Sequence, residues 1–330
     1  MILKELQVSS YLLQLESLIR RLPQQHESYS IVQDQIAREH AGYYGECQLI
    51  YPLSKLNFPT DLIYQLRLPY NHSFFQIDCL LMTPRFFLII EAKNYRDLVV
   101  FNEFDQVLHK DRVYQDPVMQ VEEQKYQLEM WLQMKGIPPI PIETLVTMTN
   151  SQALLKAASP NHKEKVVTLP KLSSKIRELS EQYKAQLLNV SDLRWLGNQM
   201  MMEHQDYVAD VLMKFRVNEK ALRQGIVCPE CGVLGVKMVK KRFECPQCKT
   251  RTSDAYLTAL KDSFLLGKRN ITNSEFREFS EIQSHSTTRD LLVRSNLKKE
   301  GTKRYTKYQL CFDYKRDFDY LKRRKRSKKL

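Results

Sequence analysis

The sequence predicts an α/β domain followed by two small modules, a four-cysteine metal-binding module and an α+β helix-turn-helix module. Three observations support this prediction. Helical and strand patterns alternate between residues 43 and 169, as in α/β domains. Four of the seven cysteines lie within residues 228–248. Beyond residue 269, two amphipathic helical stretches precede a basic stretch with the pattern of a β-hairpin.

Length and composition set the broad class of the protein. A chain of 330 residues with 43% hydrophobic and 27% charged residues is expected to form two or three folded domains, which excludes a largely disordered protein. The longest strongly apolar run, residues 86–90, is far shorter than the ~20 residues of a membrane-spanning helix. The first residues also lack the pattern of a secretory signal. We therefore expect a cytoplasmic protein with no membrane partner.

Residues 2–40 have a helical pattern, in which Leu12 and Leu15 belong to an apolar stripe that ends at Pro23. We assign residues 1–37 to an N-terminal helical segment, 38–172 to the α/β domain and 173–225, which are helical and polar, to a helical connector. The elements predicted in the α/β domain are a helix at 45–56, strands at 62–68, 75–82 and 86–92, a helix from Pro117 to about residue 134, and strands at 145–149 and 165–169. Asp116 and Pro117 mark the start of the second helix, because Asp caps helices and Pro fits the first helical position.

Two C-x-x-C pairs, separated by 13 residues, define the metal-binding module. The predicted ligands are Cys228, Cys231, Cys245 and Cys248. Each pair forms a tight turn that brings two thiolates to one ion, and four sulfur ligands in a closed tetrahedron suit Zn²⁺. We predict a structural zinc ribbon over residues 226–253. Two structural disulfides are the weaker alternative in a reducing compartment.

The region after the ribbon has the pattern of a winged helix-turn-helix, which we assign to residues 254–320, followed by a basic tail at 321–330. Thr272 and Glu275 have the spacing of a capping box, a second helix is predicted from Ser286 to residue 295, and a hairpin turns near Gly301. The predicted DNA contacts are Ser286, Thr287 and Arg289 at the bases, and Arg294, Lys298, Lys299, Lys303 and Arg304 at the backbone or minor groove. Helix-turn-helix units also serve as protein–protein adaptors.

The distribution of charge indicates a polyanionic partner. Residues 1–150 contain 13 Lys and Arg against 18 Asp and Glu, whereas residues 151–330 contain 38 against 20. An acidic front half joined to a basic back half is typical of nucleic-acid-binding proteins, because the basic half neutralises phosphates. DNA is therefore the expected partner.

Acidic residues in two neighbouring predicted strands mark a candidate metal site. Asp78 lies in one strand, and Glu91 directly follows the apolar run of the next. Antiparallel pairing would place both carboxylates at one edge, where they could bind Mg²⁺ or Mn²⁺ with the carbonyl of Ala92 as a third ligand. Lys93 would share a face with Glu91 and could act on a water or a phosphate. A buried ion pair between Glu91 and Lys93 is the purely structural alternative.

Four segments of the α/β domain resemble a known family. They are Gly45–Glu46, residues 76–81, residues 89–95 and residues 116–120. Residues 38–170 are similar to the nuclease-related domain (NERD), a branch of the PD-(D/E)xK restriction-endonuclease-like superfamily. Ile77 stands where the superfamily name has Pro.

The resemblance implies a restriction-endonuclease-like core with an active site of five residues. These residues are Glu46, Asp78, Glu91, Lys93 and Gln120. The resemblance further implies that Glu46 supports the metal ion or its water and that Gln120 contacts the phosphate or holds Lys93. Gln124, one turn beyond Gln120 on the same helix face, is a further candidate.

The sequence therefore predicts a metal-dependent deoxyribonuclease that hydrolyses phosphodiester bonds, with catalytic Mg²⁺ or Mn²⁺ and structural Zn²⁺. We expect the zinc ribbon and winged helix to bring it to DNA, in bacterial DNA processing or defence. Double-strand cleavage with one active site per chain favours a homodimer, and a separate helicase or defence protein is a further expected partner. Two alternatives stay open: a non-catalytic DNA-binding regulator with a degenerate nuclease core, and a nuclease that acts on RNA.

Overall fold

A computed structural model describes residues 1–157 and 159–318 of the chain, apart from the side chain of Arg304. These residues form two compact units. The first unit contains Met1–Leu6 and Glu39–Asp206, and the second contains Gln7–Arg38 and the described residues from Tyr207 onward. The predicted basic tail, residues 321–330, lies outside the described residues.

The described residues form ten α-helices and seventeen β-strands. The helices are α1 (Ser10–Arg21), α2 (Tyr29–Leu53), α3 (Pro117–Met134), α4 (Pro160–Lys165), α5 (Leu169–Gln182), α6 (Val190–Glu203), α7 (Val211–Lys214), α8 (Tyr256–Leu265), α9 (Asn273–Ser280) and α10 (His285–Arg294). The strands are β1 (Ile2–Lys4), β2 (Asp61–Tyr70), β3 (Ser73–Met82), β4 (Phe87–Lys93), β5 (Asp97–Phe101), β6 (Gln106–His109), β7 (Arg112–Gln115), β8 (Ile142–Met148), β9 (Ala153–Lys156), β10 (Val166–Thr168), β11 (Ile226–Val227), β12 (Leu234–Val239), β13 (Arg242–Glu244), β14 (Arg251–Thr252), β15 (Asn270–Thr272), β16 (Lys299–Glu300) and β17 (Lys307–Gln309). Among the described residues, no helix is long and apolar enough to cross a membrane.

The main sheet of the first unit has six strands in the order β1-β2-β3-β4-β8-β10. Strands β2, β3 and β4 pair antiparallel, whereas β4, β8 and β10 pair parallel. The apolar run at the start of β4 is buried on both faces of this sheet, which explains why it lacks polar alternation. The predicted strands at 62–68, 75–82 and 86–92 are confirmed within one or two residues at each end.

The pairing of β3 with β4 ends before the pairing of β4 with β8. The last β3–β4 pair joins Cys79 to Ile90, whereas β4 stays paired with β8 as far as Lys93. The next residues along, Asp78 and Glu91, are therefore not paired through their main chains. The sheet opens at this point, and polar side chains can enter.

A second sheet of the first unit contains four short strands in the order β7-β6-β5-β9. Val99, Phe101 and Val107 point from it into the apolar core. These strands are not predicted from the sequence, because they are only four or five residues long and carry exposed apolar residues such as Val113 on their other face.

The predicted helix after Asp116 is confirmed as α3. The Asp116 carboxylate accepts a hydrogen bond from the main-chain N–H of Val118 at 2.8 Å, and Pro117 takes the first helical position. Val121 and Leu128 pack this helix onto the core of the first unit. The cap and the proline therefore fix where α3 begins. Gln120 and Gln124 project from the turns that follow.

The N-terminal helical prediction is wrong for its first residues. Residues 2–4 form β1, which pairs parallel with β2, and a helix begins only at Ser10. Lys4 explains the difference, because its ammonium donates to the main-chain carbonyls of Tyr64 and Gln65 at 3.0 and 3.3 Å. These contacts depend on residues about sixty positions away, which a local pattern cannot show.

The second unit contains a four-stranded sheet, β11-β12-β13-β14, and a three-stranded sheet, β15-β17-β16. The capping box is confirmed, since Thr272 and Glu275 satisfy each other's main-chain N–H groups at the start of α9. The predicted hairpin is also confirmed, because β16 and β17 pair antiparallel. Strand β15, which pairs with β17 as the third strand of the smaller sheet, was not predicted.

Candidate active site and metal centre

The opening between β3 and β4 holds the first group of predicted site residues. Asp78 Oδ2 accepts a hydrogen bond from the main-chain N–H of Ala92 at 3.0 Å, in place of the missing strand pairing. Because the N–H and C=O of one strand residue point to the same side, the carbonyl of Ala92 faces the same opening. Asp78, Ala92 and Glu91 therefore present oxygen atoms to one edge of the main sheet.

Glu91, Lys93 and Gln120 form a closed triangle of hydrogen bonds. Lys93 Nζ donates to Glu91 Oε1 at 2.6 Å and to Gln120 Oε1 at 3.0 Å. Gln120 Nε2 donates to the same Glu91 oxygen at 2.9 Å. The Lys93 side chain keeps 21% of its exposure, against 4% for Glu91. The lysine is thus fixed by both partners and still reachable from solvent.

Gln124 supports the second oxygen of Glu91. Its Nε2 donates to Glu91 Oε2 at 3.2 Å and to the main-chain carbonyl of Gln76 at 2.9 Å. Gln124 is 5% exposed and lies one turn beyond Gln120 on α3. Helix α3 therefore fixes both oxygens of the Glu91 carboxylate.

The start of α3 is itself anchored by a histidine that the sequence analysis left unassigned. His162 Nε2 lies 2.5 Å from Asp116 Oδ2, and its Nδ1 lies 2.7 Å from the hydroxyl of Ser159. Both Asp116 and His162 are buried. Because this pairing spans 46 residues, no local motif could have indicated it.

Glu46 reaches the site because Gly45 lets α2 approach the end of β4. A Cβ atom at Gly45 would lie 3.0 Å from both Asn94 Cβ and Thr149 Oγ1, which is too tight for most side chains. Asn94 also donates to the main-chain carbonyl of Ala41 at 3.0 Å and so fastens the helix to the strand. The glycine at position 45 therefore allows α2 to pack closely against the end of β4.

Two residues that the sequence analysis missed complete this side of the site. Gln65 Nε2 donates to Glu46 Oε2 at 2.8 Å. Gln65 adopts a left-handed conformation, with φ of 52°, between two residues that pair regularly with β3. Lys4 is buried and donates to the carbonyl of Gln65, which holds this local distortion in place.

Glu46, Asp78 and Lys93 at this edge have raised pKa values. Burial raises the pKa of Glu46 to about 7, and repulsion from Glu91 acts in the same direction. Burial, together with the Glu91 and Glu46 carboxylates, raises the pKa of Asp78 well above its usual range. Burial alone would lower the pKa of Lys93, but Glu91 and Asp78 outweigh it and raise the pKa, which keeps the ammonium charged.

The donor set fits a hard divalent cation. Carboxylate and carbonyl oxygens are the ligands that Mg²⁺ and Mn²⁺ prefer. Burial is the main cause of the raised pKa values of Asp78 and Glu46, and repulsion from neighbouring carboxylates adds to it. A bound cation would remove this repulsion, so the arrangement can hold a metal beside a lysine.

The second unit brings the four predicted cysteine ligands together. Their sulfur atoms all lie within 4.8 Å of one another, with 3.6 Å between Cys228 and Cys248 and 3.4 Å between Cys231 and Cys245. Tetrahedral Zn–S bonds of about 2.3 Å would separate the sulfurs by roughly 3.8 Å. The residues after each pair, Gly232 and Lys249, both adopt left-handed φ angles, which close the two turns. This cluster could bind a tetrahedral ion such as zinc.

The predicted DNA contacts lie around α10 and the β16–β17 hairpin. Arg289, Lys299 and Lys303 line a cleft of about 530 Å³, together with Arg277, which was not predicted. Ser286, Arg294 and Lys298 are exposed outside the lining of this cleft, and Thr287 is half-buried in the first turn of α10. The side chain of Arg304 is outside the described part of the chain.

Residues 41–149 match the sequence profile of the nuclease-related domain. The matched segment contains all five residues that the resemblance placed in the active site, and the match supports a nuclease-related function for this domain. A comparison with curated proteins found no match. A comparison with solved structures found none either.

Proposed function

We propose that the protein is a metal-dependent nuclease that hydrolyses phosphodiester bonds in DNA with a PD-(D/E)xK-type site. The observation that carries this proposal is the convergence of Asp78, Glu91 and Lys93 at the opening between β3 and β4. The match of residues 41–149 to a nuclease-related domain supports the same conclusion.

Asp78, Glu91 and the carbonyl of Ala92 would hold Mg²⁺ or Mn²⁺, which supplies charge to the phosphoryl oxygen and lowers the pKa of a bound water. Glu46 takes the proton of the attacking water at its carboxylate. Burial suits this role, because it raises the pKa of Glu46 and so makes the carboxylate a stronger base than an exposed one.

Lys93 stabilises the developing negative charge on the phosphate. A lysine has three N–H donors, and Glu91 and Gln120 accept two of them. The third is left for a phosphate oxygen, and the raised pKa favours a charged donor over a neutral base. Gln120 positions the lysine in this scheme.

We further propose that the second unit carries the protein to DNA. The cysteine cluster would hold Zn²⁺ as a structural zinc ribbon, and α9, α10 and the three-stranded sheet would act as a winged helix. The DNA contacts proposed here are Ser286, Thr287, Arg289, Arg294, Lys298, Lys299, Lys303 and Arg304. The cationic cleft supports phosphate binding. A role in bacterial DNA processing or defence, a cytoplasmic location and a homodimer are parts of the same proposal.

Cleavage of plasmid, linear duplex and single-stranded DNA tests the proposal. The wild type should cut DNA with Mg²⁺ or Mn²⁺, and Lys93→Met and Asp78→Asn should each lower the rate about 100-fold or more. Lys175→Met and Glu178→Gln are matched controls, because they break an exposed ion pair of the same unit and should cut normally. Salt-sensitive DNA binding without cleavage in any metal would contradict the nuclease and favour the DNA-binding regulator.

A further inference from the structure

Three rings form a cluster directly beyond the end of β4. The ring centroid of Tyr95 lies 4.9 Å from that of His109 and 5.8 Å from that of Tyr114. His109 and Tyr114 are 6.4 Å apart. Tyr95 follows Lys93 by two residues, which span at most about 7 Å of chain. The cluster therefore begins within one nucleotide's reach of the lysine.

The β6–β7 hairpin holds the rings in place. His109 Nε2 lies 2.6 Å from the main-chain carbonyl of Arg96, which ties the hairpin to the segment after β4. Tyr114 pairs with Val107, which is fully buried, whereas Tyr114 keeps 37% of its exposure. Tyr114 thus lies on the core side of the hairpin and is still open to solvent, and Tyr95 and His109 are half-buried beside it.

We propose that Tyr95, His109 and Tyr114 form a stacking platform for unpaired nucleobases of the DNA strand that is cut. This inference rests on the proposed nuclease function and names its substrate class as single-stranded or frayed DNA. Ring faces bind successive bases by stacking, and they do so without sequence preference because every base has such a face. A base inside an intact duplex has both faces covered and cannot use the platform.

Charged residues around the platform fit the same ligand. Arg96 is exposed beside Tyr95, where its Nε lies 3.7 Å from Asp97 Oδ1, and Arg112 is exposed directly across the hairpin from His109. Lys93 and Glu91 both act on the pKa of Tyr95, which burial raises, so the phenol lies within electrostatic range of the candidate active site. Arginines that flank stacked rings are typical of grooves that follow a single strand.

Photocrosslinking tests the position of the bases. The full chain, without added divalent cation, is irradiated with a single-stranded DNA oligonucleotide that carries 5-iodouracil, and the crosslinked peptides are identified by mass spectrometry. We expect crosslinks to Tyr95, His109 or Tyr114, and their loss when an unlabelled single strand competes. Crosslinks confined to residues outside this cluster would overturn the proposal.

Kinetics separate stacking from a structural role of the ring. Tyr114→Leu should raise the KM for single-stranded DNA about 5- to 100-fold and change the KM for duplex DNA much less. Tyr114→Phe keeps the ring and should behave like the wild type. Phe104→Leu, which removes a more exposed ring from the turn between β5 and β6, is the matched control and should have no effect.

The outcomes distinguish the platform from the nuclease. An equal change of KM on single-stranded and duplex DNA, or no change in Tyr114→Leu, would overturn the platform while cleavage still supports the nuclease. If neither the wild type nor any variant cuts DNA, the nuclease proposal fails. The crosslinks then still decide whether the rings bind unpaired bases.

Discussion

Gln65 shows how one residue prepares the candidate site. Its left-handed conformation interrupts the regular pairing of β2 with β3 and directs its amide to Glu46. A non-glycine residue in this region costs about 1–3 kcal/mol and persists only when its surroundings hold it. The buried ammonium of Lys4, which donates to the Gln65 carbonyl, is such a support.

The raised pKa values of Glu46 and Asp78 predict how stability depends on pH. An unfolded Glu has a pKa of about 4.3, so between this value and about 7 the folded chain binds more protons than the unfolded chain. The free energy of unfolding should therefore fall as the pH rises through this window. The stabilisation from the protonated carboxyl group is complete only at pH values below the window.

Thermal unfolding without added Mg²⁺ or Mn²⁺ measures this effect between pH 5 and pH 8. The wild type should lose melting temperature across this range, and Glu46→Gln, which cannot ionise, should lose less. Added Mg²⁺ should restore part of the loss at pH 8, because it neutralises the carboxylates. Identical profiles for the wild type and Glu46→Gln would contradict the assignment of the raised pKa to this group.

At the scale of elements, α3 carries the amides that fix the carboxylate of Glu91. Gln120 and Gln124 act from adjacent turns, so a small shift of the helix would move both at once. The cap residue Asp116 and its partner His162 fix the start of the helix. Stability and activity are therefore expected to be coupled at this helix end.

Asp116→Ala should lower the free energy of unfolding by about 1–3 kcal/mol, because it removes the cap and leaves buried His162 without its carboxylate partner. It should also slow cleavage, since Gln120 loses its position. Asn189→Ala removes the cap of α6 in the same unit and should cost about 1 kcal/mol with no effect on cleavage. Denaturant unfolding and cleavage rates provide the comparison, and equal cleavage by both variants would contradict this role for α3.

The order of the four-cysteine cluster is expected to depend on a bound zinc ion. The wild type and Cys311→Ser should each contain about one zinc ion per chain, because Cys311 lies outside the cluster. Cys228→Ser should contain much less and should lose the order of its β-sheet. Elemental analysis of the purified proteins measures this, and equal zinc in all three would contradict the zinc site.

Across the whole molecule, the features that can be predicted from the sequence are those that depend on residues close together in the chain. The apolar run before Glu91 predicts a strand end, Asp116 predicts a helix start, and the two cysteine pairs predict a cluster. Lys4, Gln65 and His162 could not be predicted, because these partners lie between 19 and 60 residues away or their role depends on the main-chain path of another strand.

The second sheet escaped prediction for a different reason. Its strands are short, and one face exposes Leu98, Leu108 and Val113 to solvent, so the usual alternation of apolar and polar residues is absent. This sheet nevertheless supplies two rings of the proposed stacking platform. The proposed stacking platform is thus less visible in the sequence than the proposed catalytic residues.

We propose that Asp78 and Glu91 form a divalent metal centre rather than a buried ion pair alone. Titration with Mn²⁺, followed by electron paramagnetic resonance at pH 8, distinguishes the two. The wild type and the control Glu178→Gln should bind about one Mn²⁺ ion per chain, and Asp78→Asn and Glu91→Gln should bind it far more weakly. Unchanged Mn²⁺ binding in both site variants, or no binding by the wild type, would contradict the account.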